Sequence, residues 1–326
     1  MKPGIRGAGL RIIVSLAALA VVFFSIRGKF FESLAILRSE VIFNWFALGL
    51  LTYLTAQIVL ALRFFNILQV HEIRMKFGEV FYLVFVGLFF NVLFPSAVGG
   101  DVAKGYLVYK RSGKKLESTT SVIADRLMGF IALMSMAVGG ILLFRDQIAD
   151  HSIQYIVYLG VAILILALLF LGNKGFARSF KSLSVLIPSF HWRQKLSTLY
   201  HSLHAYRHHL KAVAFGIFLS FIGQAFFILV YYWMTLSLGV QLSPQIFFVL
   251  VPVITLASMA PSFGGLGVRE AGLMFAFQRF LTSERAFALS LLVDCAIYGC
   301  SLIAGLIFCL RGGLKSKMIH EMEVLE

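Results

Sequence analysis

Apolar runs long enough to cross a lipid bilayer recur along this chain, near residues 10–27, 41–62, 119–144, 153–172, 212–236 and 286–310. A helical span needs about 20 predominantly apolar residues, and in hydrocarbon the backbone can satisfy its own hydrogen bonds only as a helix or a closed barrel. Six such runs specify an all-α polytopic membrane protein. Composition supports this, since 60% of the residues are hydrophobic and only 13% charged, more apolar surface than a water-soluble core of this length can hide. The start, "MKPGIRGAGLRIIVSLAALAVVFFSIRGKF", begins like a secretion signal, but apolar "VVFFSIR" follows "AALA" where a polar cleavage region would stand. An uncleaved first helix is expected.

Two further apolar segments are short. Residues 79–94 and 245–260 sit at or below the low end of the spanning range, each runs into a Pro-Ser-Gly break, and Pro252 would kink the second. Loop charge decides whether they cross. Lys2, Arg6 and Arg11 place the N-terminus in the cytoplasm, and a loop with Arg63, Arg74 and Lys76 follows two crossings later. A full crossing by 79–94 would put Lys104, Lys110, Arg111, Lys114 and Lys115 outside, against the positive-inside rule. A re-entrant hairpin returns them to the cytoplasm. With a second, opposed hairpin at 245–260, six spans satisfy every basic loop and both termini are cytoplasmic, in a cell (inner) membrane.

The same arrangement contains a repeat within one integral membrane domain, 1–326. Long span, broken short segment and long span occur at 41–144 and again at 212–310, in opposite orientations. Inverted repeats with broken helices in matching positions point to a transporter's substrate site, where freed amides and half-helix N-termini can hold an anion. The candidate residues around the first break, "NVLFPSAVGGDVAKG", are Asn91, Ser96, Gly99, Gly100, Asp101 and Lys104. Around the second, "APSFGGLGVREAG", they are Ser262, Gly264, Gly265, Arg269 and Glu270. The competing reading is a plain extramembrane turn, for which such residues are common punctuation.

Ionisable residues inside spans add Asp125, Arg126 and Asp294. Such groups are costly in a bilayer and mark pathways or pairs. Asp125 and Arg126 could instead snorkel to the interface, and Asp294 could make an interhelical hydrogen bond. Arg269 has two readings as well: it grips a headgroup phosphate opposite Lys104, or it pairs with Asp294 or Glu270 to fix the fold. Gln57 and Gln224 read as helix–helix contacts.

The segment 173–211 is basic, with "HWRQKLSTLYHSLHAYRHHLK" close to helical spacing, which suits a cytoplasmic amphipathic helix on an anionic lipid surface. Its His201, His204, His208 and His209 lack a carboxylate or cysteine to complete a metal site. Cys295, Cys300 and Cys309 share one span and read as buried packing residues. A net charge of +14 fits cytoplasmic loops against anionic lipid, so no nucleic acid partner is expected.

In order and spacing, "NVLFPSAVGGDVAKGYLVYK", "SVIADRLMG" and "APSFGGLGVREAG" resemble the flippase-like membrane domain of the lysylphosphatidylglycerol synthase family. The resemblance covers nearly the whole chain. It implies re-entrant segments and a role in moving or handling a phospholipid or polyprenyl-linked lipid. The lysyl-transferring synthases carry a soluble catalytic domain after this one, and with only a short tail before Glu326 that domain is not expected here. No Walker A, G-x-S-x-G or H-E-x-x-H motif is present, so neither an enzyme nor a cofactor is expected. Three functions therefore stand: a lipid flippase or transporter, an accessory subunit presenting lipid to a membrane glycosyltransferase or synthase, and an intramembrane enzyme acting on lipid phosphate.

Overall fold

The computed structural model describes residues 30–93, 99–144, 151–172, 205–259 and 265–311. Their regular structure is entirely helical, in the order α1 (Phe30–Ser39), α2 (Phe43–Val70), α3 (Phe77–Leu93), α4 (Gly99–Ser112), α5 (Lys115–Leu143), α6 (His151–Gly172), α7 (Leu210–Ser237), α8 (Pro244–Ser258), α9 (Val268–Phe277) and α10 (Ser283–Leu310). A 3-10 turn, Ala205–His208, precedes α7. The expected span at 10–27, most of the basic segment 173–211 and the residues beyond Arg311 lie outside the described residues.

Four helices, α2, α5, α7 and α10, have 28 or 29 residues and are apolar enough to cross a membrane. At a rise of 1.5 Å per residue they are each about 42 Å long. Their outward faces are apolar too: Leu51 and Ile58 on α2, Phe215 and Phe218 on α7, and Leu302 and Leu306 on α10 are exposed. A continuous apolar exterior around internally bonded helices is stable in lipid, not in water. The chain is an all-α, multi-pass membrane protein.

Helices α2 and α7 pack against each other along their length and run antiparallel. Trp45 stacks on Trp233 at one end, with ring centroids 5.3 Å apart, and Asn66 Nδ2 donates to the Ala212 carbonyl at the other, at 2.7 Å. Small residues allow the close approach: Gly49 faces Met234 and Gly223 faces Leu60.

Each short helix folds back on its successor. Glu79 at the start of α3 pairs with Arg111 at the end of α4, at 2.7 Å, so this hairpin begins and finishes at the same end of the bundle. Gly87 and Gly100 face each other where the two helices close, and a methyl group at Gly100 would collide with the Gly87 carbonyl. In the second hairpin Phe247 of α8 meets Phe277 of α9, with centroids 5.4 Å apart, while Gly272 sits on Ala257. Pro252 lies within α8, in a run that is buried from Val249 to Ile254. The hairpins cross over to the opposite long helix: α10 packs on α3 through Phe308 and Phe90, 5.4 Å apart, and α5 packs on α8 through Gly140 and Val249.

Charge follows from this folding. Arg74, Lys76, Lys110, Arg111, Lys114 and Lys115 gather at one end, where Lys114 Nζ donates to the His71 carbonyl at 2.9 Å. Glu40 and Arg285 pair at the other, at 3.3 Å.

Three expectations need correction. Arg63 is not in a loop, because α2 continues to Val70 and buries it at 6% exposure. Asp125 does not snorkel; it is buried among helices at 6% exposure. Cys295 and Cys309 are exposed on α10, not buried, and Cys300 is half-buried, with all three free thiols.

Candidate functional site

The first site is assembled at the break between α3 and α4. Asn91, on the last turn of α3, accepts a hydrogen bond from the Gly100 N–H at 2.9 Å and so caps the start of α4 across the break. That start carries Asp101 on its first turn, which suits the positive end of the helix, and Lys104 three residues on. Helix α5 brings Asp125 and Arg126, and α2 brings Arg63.

These five side chains form one network. Asp125 accepts from Arg63 Nε at 2.7 Å and from Lys104 Nζ at 2.9 Å. Lys104 Nζ also reaches Asp101 at 3.4 Å and lies 4.2 Å from the centre of the Phe64 ring. Arg126 pairs with Asp101. Arg63 Nη1 donates to Ser220 Oγ of α7 at 3.1 Å, and Gly129 leaves room for its guanidinium. Three cations face two carboxylates, which leaves one positive charge. Arg63, Lys104, Asp101 and Asp125 are buried, whereas the Arg126 side chain is 38% exposed.

A cavity of about 250 Å³ opens beside the network. Asn91, Asp101, Lys104, Asp125 and Arg126 line it together with Arg63. Gln57 and Gln224 line it from α2 and α7, each at the same position counted from the start of its helix, and Thr255 and Met259 reach it from α8. Gln224 Nε2 donates to the Gly129 carbonyl at 3.4 Å, so it does bridge two helices, as read from the sequence, and also faces the cavity.

The second group of candidate residues lies apart from this cavity. Arg269, Glu270 and Asp294 are not among its lining residues, so the single headgroup site between Lys104 and Arg269 is not what the geometry presents. Instead Arg269 pairs with Asp294 of α10, and its guanidinium lies 5.1 Å from the Tyr298 ring. Glu270 faces the same pair. Gly265 and Gly267 have φ of +85° and +80°, values that favour glycine, and they turn the chain into α9 so that Arg269 N–H can donate to the Gly265 carbonyl at 2.8 Å. Ser96, Ser262 and Gly264 lie outside the described residues.

The two groups correspond. In each half a cation just after a Gly-Gly pair bonds an aspartate in the third or fourth turn of the next long helix: Lys104 with Asp125, and Arg269 with Asp294. Arg63 is the residue that sequence reasoning missed. The signal was present, because the apolar run resumes after it as "FFNIL" and a polar break comes only at His71. No group of three His, Cys, Asp or Glu side chains suited to a metal ion occurs among the described residues.

A family model described as the lysylphosphatidylglycerol synthase TM region matches residues 9–305. UPF0104 membrane protein PH1989 of Pyrococcus horikoshii is 29% identical over 133 residues, which is 40% of this chain and 39% of that protein. The matched part thus spans about two-fifths of the relative's length.

Proposed function

The chain belongs to the lysylphosphatidylglycerol synthase transmembrane-region family, and from that premise we propose that it binds the anionic headgroup of a membrane lipid and moves it across the bilayer. The lipid is a phospholipid or a polyprenyl-linked lipid. The observation that carries this reading is the cavity of about 250 Å³ beside a network with one excess positive charge. Charge buried in a low-dielectric bilayer is expensive, so an unbalanced cation beside an open space favours an anion there. The space suits a headgroup, while acyl or prenyl chains remain in surrounding lipid.

The roles divide by exposure. Arg126, the accessible cation, makes the first contact with phosphate, since a guanidinium can offer two parallel hydrogen bonds to it. Lys104 and Arg63 hold the rest of the network in place through Asp125. The antiparallel pair α2 and α7, with a folded-back hairpin in each half, supports the inverted-repeat reading and with it alternating access around the cavity. The basic end of the bundle is cytoplasmic under the positive-inside rule, and the membrane is the cell membrane. No catalytic step is assigned to the chain.

Native mass spectrometry of the purified protein tests the binding step. Phosphatidylglycerol should be retained in preference to phosphatidylcholine by the wild type, and Arg126→Gln should lose that preference. Equal retention of both lipids by the wild type would contradict the proposal.

A further inference from the structure

The buried network of the first half carries one positive charge in excess, and the buried cluster of the second half carries one negative charge in excess. Arg269 there is matched against two carboxylates, Glu270 and Asp294. All three are buried, at 6%, 5% and 8% exposure. Glu270 Oε2, Asp294 Oδ1, Arg269 Nε and the Tyr298 hydroxyl each lack a hydrogen-bond partner of good geometry, although Asp294 and Arg269 touch as an ion pair. Glu270 and Asp294 thus share one buried guanidinium, with a carboxylate oxygen of each left unsatisfied. One cation cannot neutralise two ionised carboxylates in a dry setting, and like charges held this close favour a proton on one of them.

The other titratable groups facing the cluster do not supply the missing charge. Tyr53 of α2 and Tyr231 of α7 are fully buried beside Arg269, and Tyr298 of α10 covers it. Helix α8, packed on α9, contributes no titratable side chain. Cys300 of α10 lies near Tyr53.

We propose that Glu270 and Asp294 form a proton-binding site, in which one proton taken from water is held between the two carboxyls beside the Arg269 guanidinium and is released again to water. With the proton bound, the cluster sums to zero; without it, one negative charge is left in the bilayer. The anion cavity has the mirror behaviour, because one monoanionic headgroup brings its network to zero. Filling both sites removes net charge from both buried clusters, which makes one proton per headgroup the least costly load to carry. This coupling rests on the function proposed above; the proton site does not.

Infrared difference spectroscopy of the protein in lipid nanodiscs tests the site directly. The wild type at pH 7 should show a protonated-carboxyl band, and Glu270→Gln and Asp294→Asn should each abolish it. A wild type without the band at pH 7, or a band that survives in both variants, would overturn the proposal. Thermal stabilisation by sodium in a wild type that lacks the band would assign the site to an alkali cation instead, and so also overturn it. In vesicles with acyl-labelled phosphatidylglycerol, wild-type movement should follow an imposed pH gradient and Glu270→Gln movement should not. Wild-type movement indifferent to the gradient would remove the coupling. No movement under any condition would contradict the proposed function, while the infrared band still decides the proton site.

Discussion

Arg63 and Arg126 bear on the same network but differ in exposure, and their substitutions should separate. Asp125 takes its two short bonds from Arg63 and Lys104, all within the buried part. Arg63→Gln leaves one of those carboxylate contacts unmade in a dry environment, and breaking a buried pair typically costs about 3–5 kcal/mol. Thermal unfolding in detergent should show that loss. Arg126→Gln removes a half-exposed cation from Asp101, which keeps Lys104 nearby. Its stability cost should stay within about 1 kcal/mol, while headgroup retention falls. A stability loss for Arg126→Gln equal to that for Arg63→Gln would show that Arg126 is structural. The sequence identified Asp125, Lys104, Asp101 and Arg126 as candidates because ionisable residues stand out against an apolar run. It placed Arg63 wrongly because a positive charge near the end of a span looks like a loop residue, and only partners far along the chain, Asp125 and Ser220, explain its burial.

At the scale of elements, proline and glycine marked both breaks, and α3 and α8 follow the two short segments closely. The helices after the breaks were harder to see. With 14 and 10 residues, α4 and α9 are too short and too polar to register as spans, and what holds them is tertiary: the Gly87–Gly100 contact and the Glu79–Arg111 pair for one, Phe247 against Phe277 for the other. Gly100→Ala should therefore force the first hairpin apart, destabilising the protein by about 3 kcal/mol, the upper part of the range for overpacking. Gly299, inside α10, has nothing within 4 Å of the position a methyl would take. Gly299→Ala should be neutral or stabilising by up to about 1 kcal/mol. Unfolding curves of the two variants check this contrast, and equal effects would mean that the hairpin closure is not tight.

For the molecule as a whole, apolar periodicity and loop charge made the architecture legible, while the separation of the candidate residues into two clusters was not. The glycine breaks look alike in the sequence, so a shared site between them was the simple expectation; the long-helix aspartates instead draw each cation into its own half. The hairpin geometry predicts sidedness. Cysteine introduced at Ser112 of a cysteine-free protein should be labelled only from the cytoplasm, and cysteine at Ser283 only from outside, as read with membrane-impermeant maleimide on intact cells. Labelling of both from one side would contradict the folded-back arrangement in the membrane. The most direct test of the central claim, that the cavity carries a lipid headgroup across the bilayer, is a vesicle assay with acyl-labelled phosphatidylglycerol and polyprenyl phosphate in separate preparations. The wild type should equilibrate at least one of these lipids between leaflets faster than protein-free vesicles, and Arg126→Gln should be slower by about tenfold, the loss of one charge-assisted contact worth about 1.4 kcal/mol. Equilibration by the wild type no faster than in protein-free vesicles, for both lipids, would contradict it.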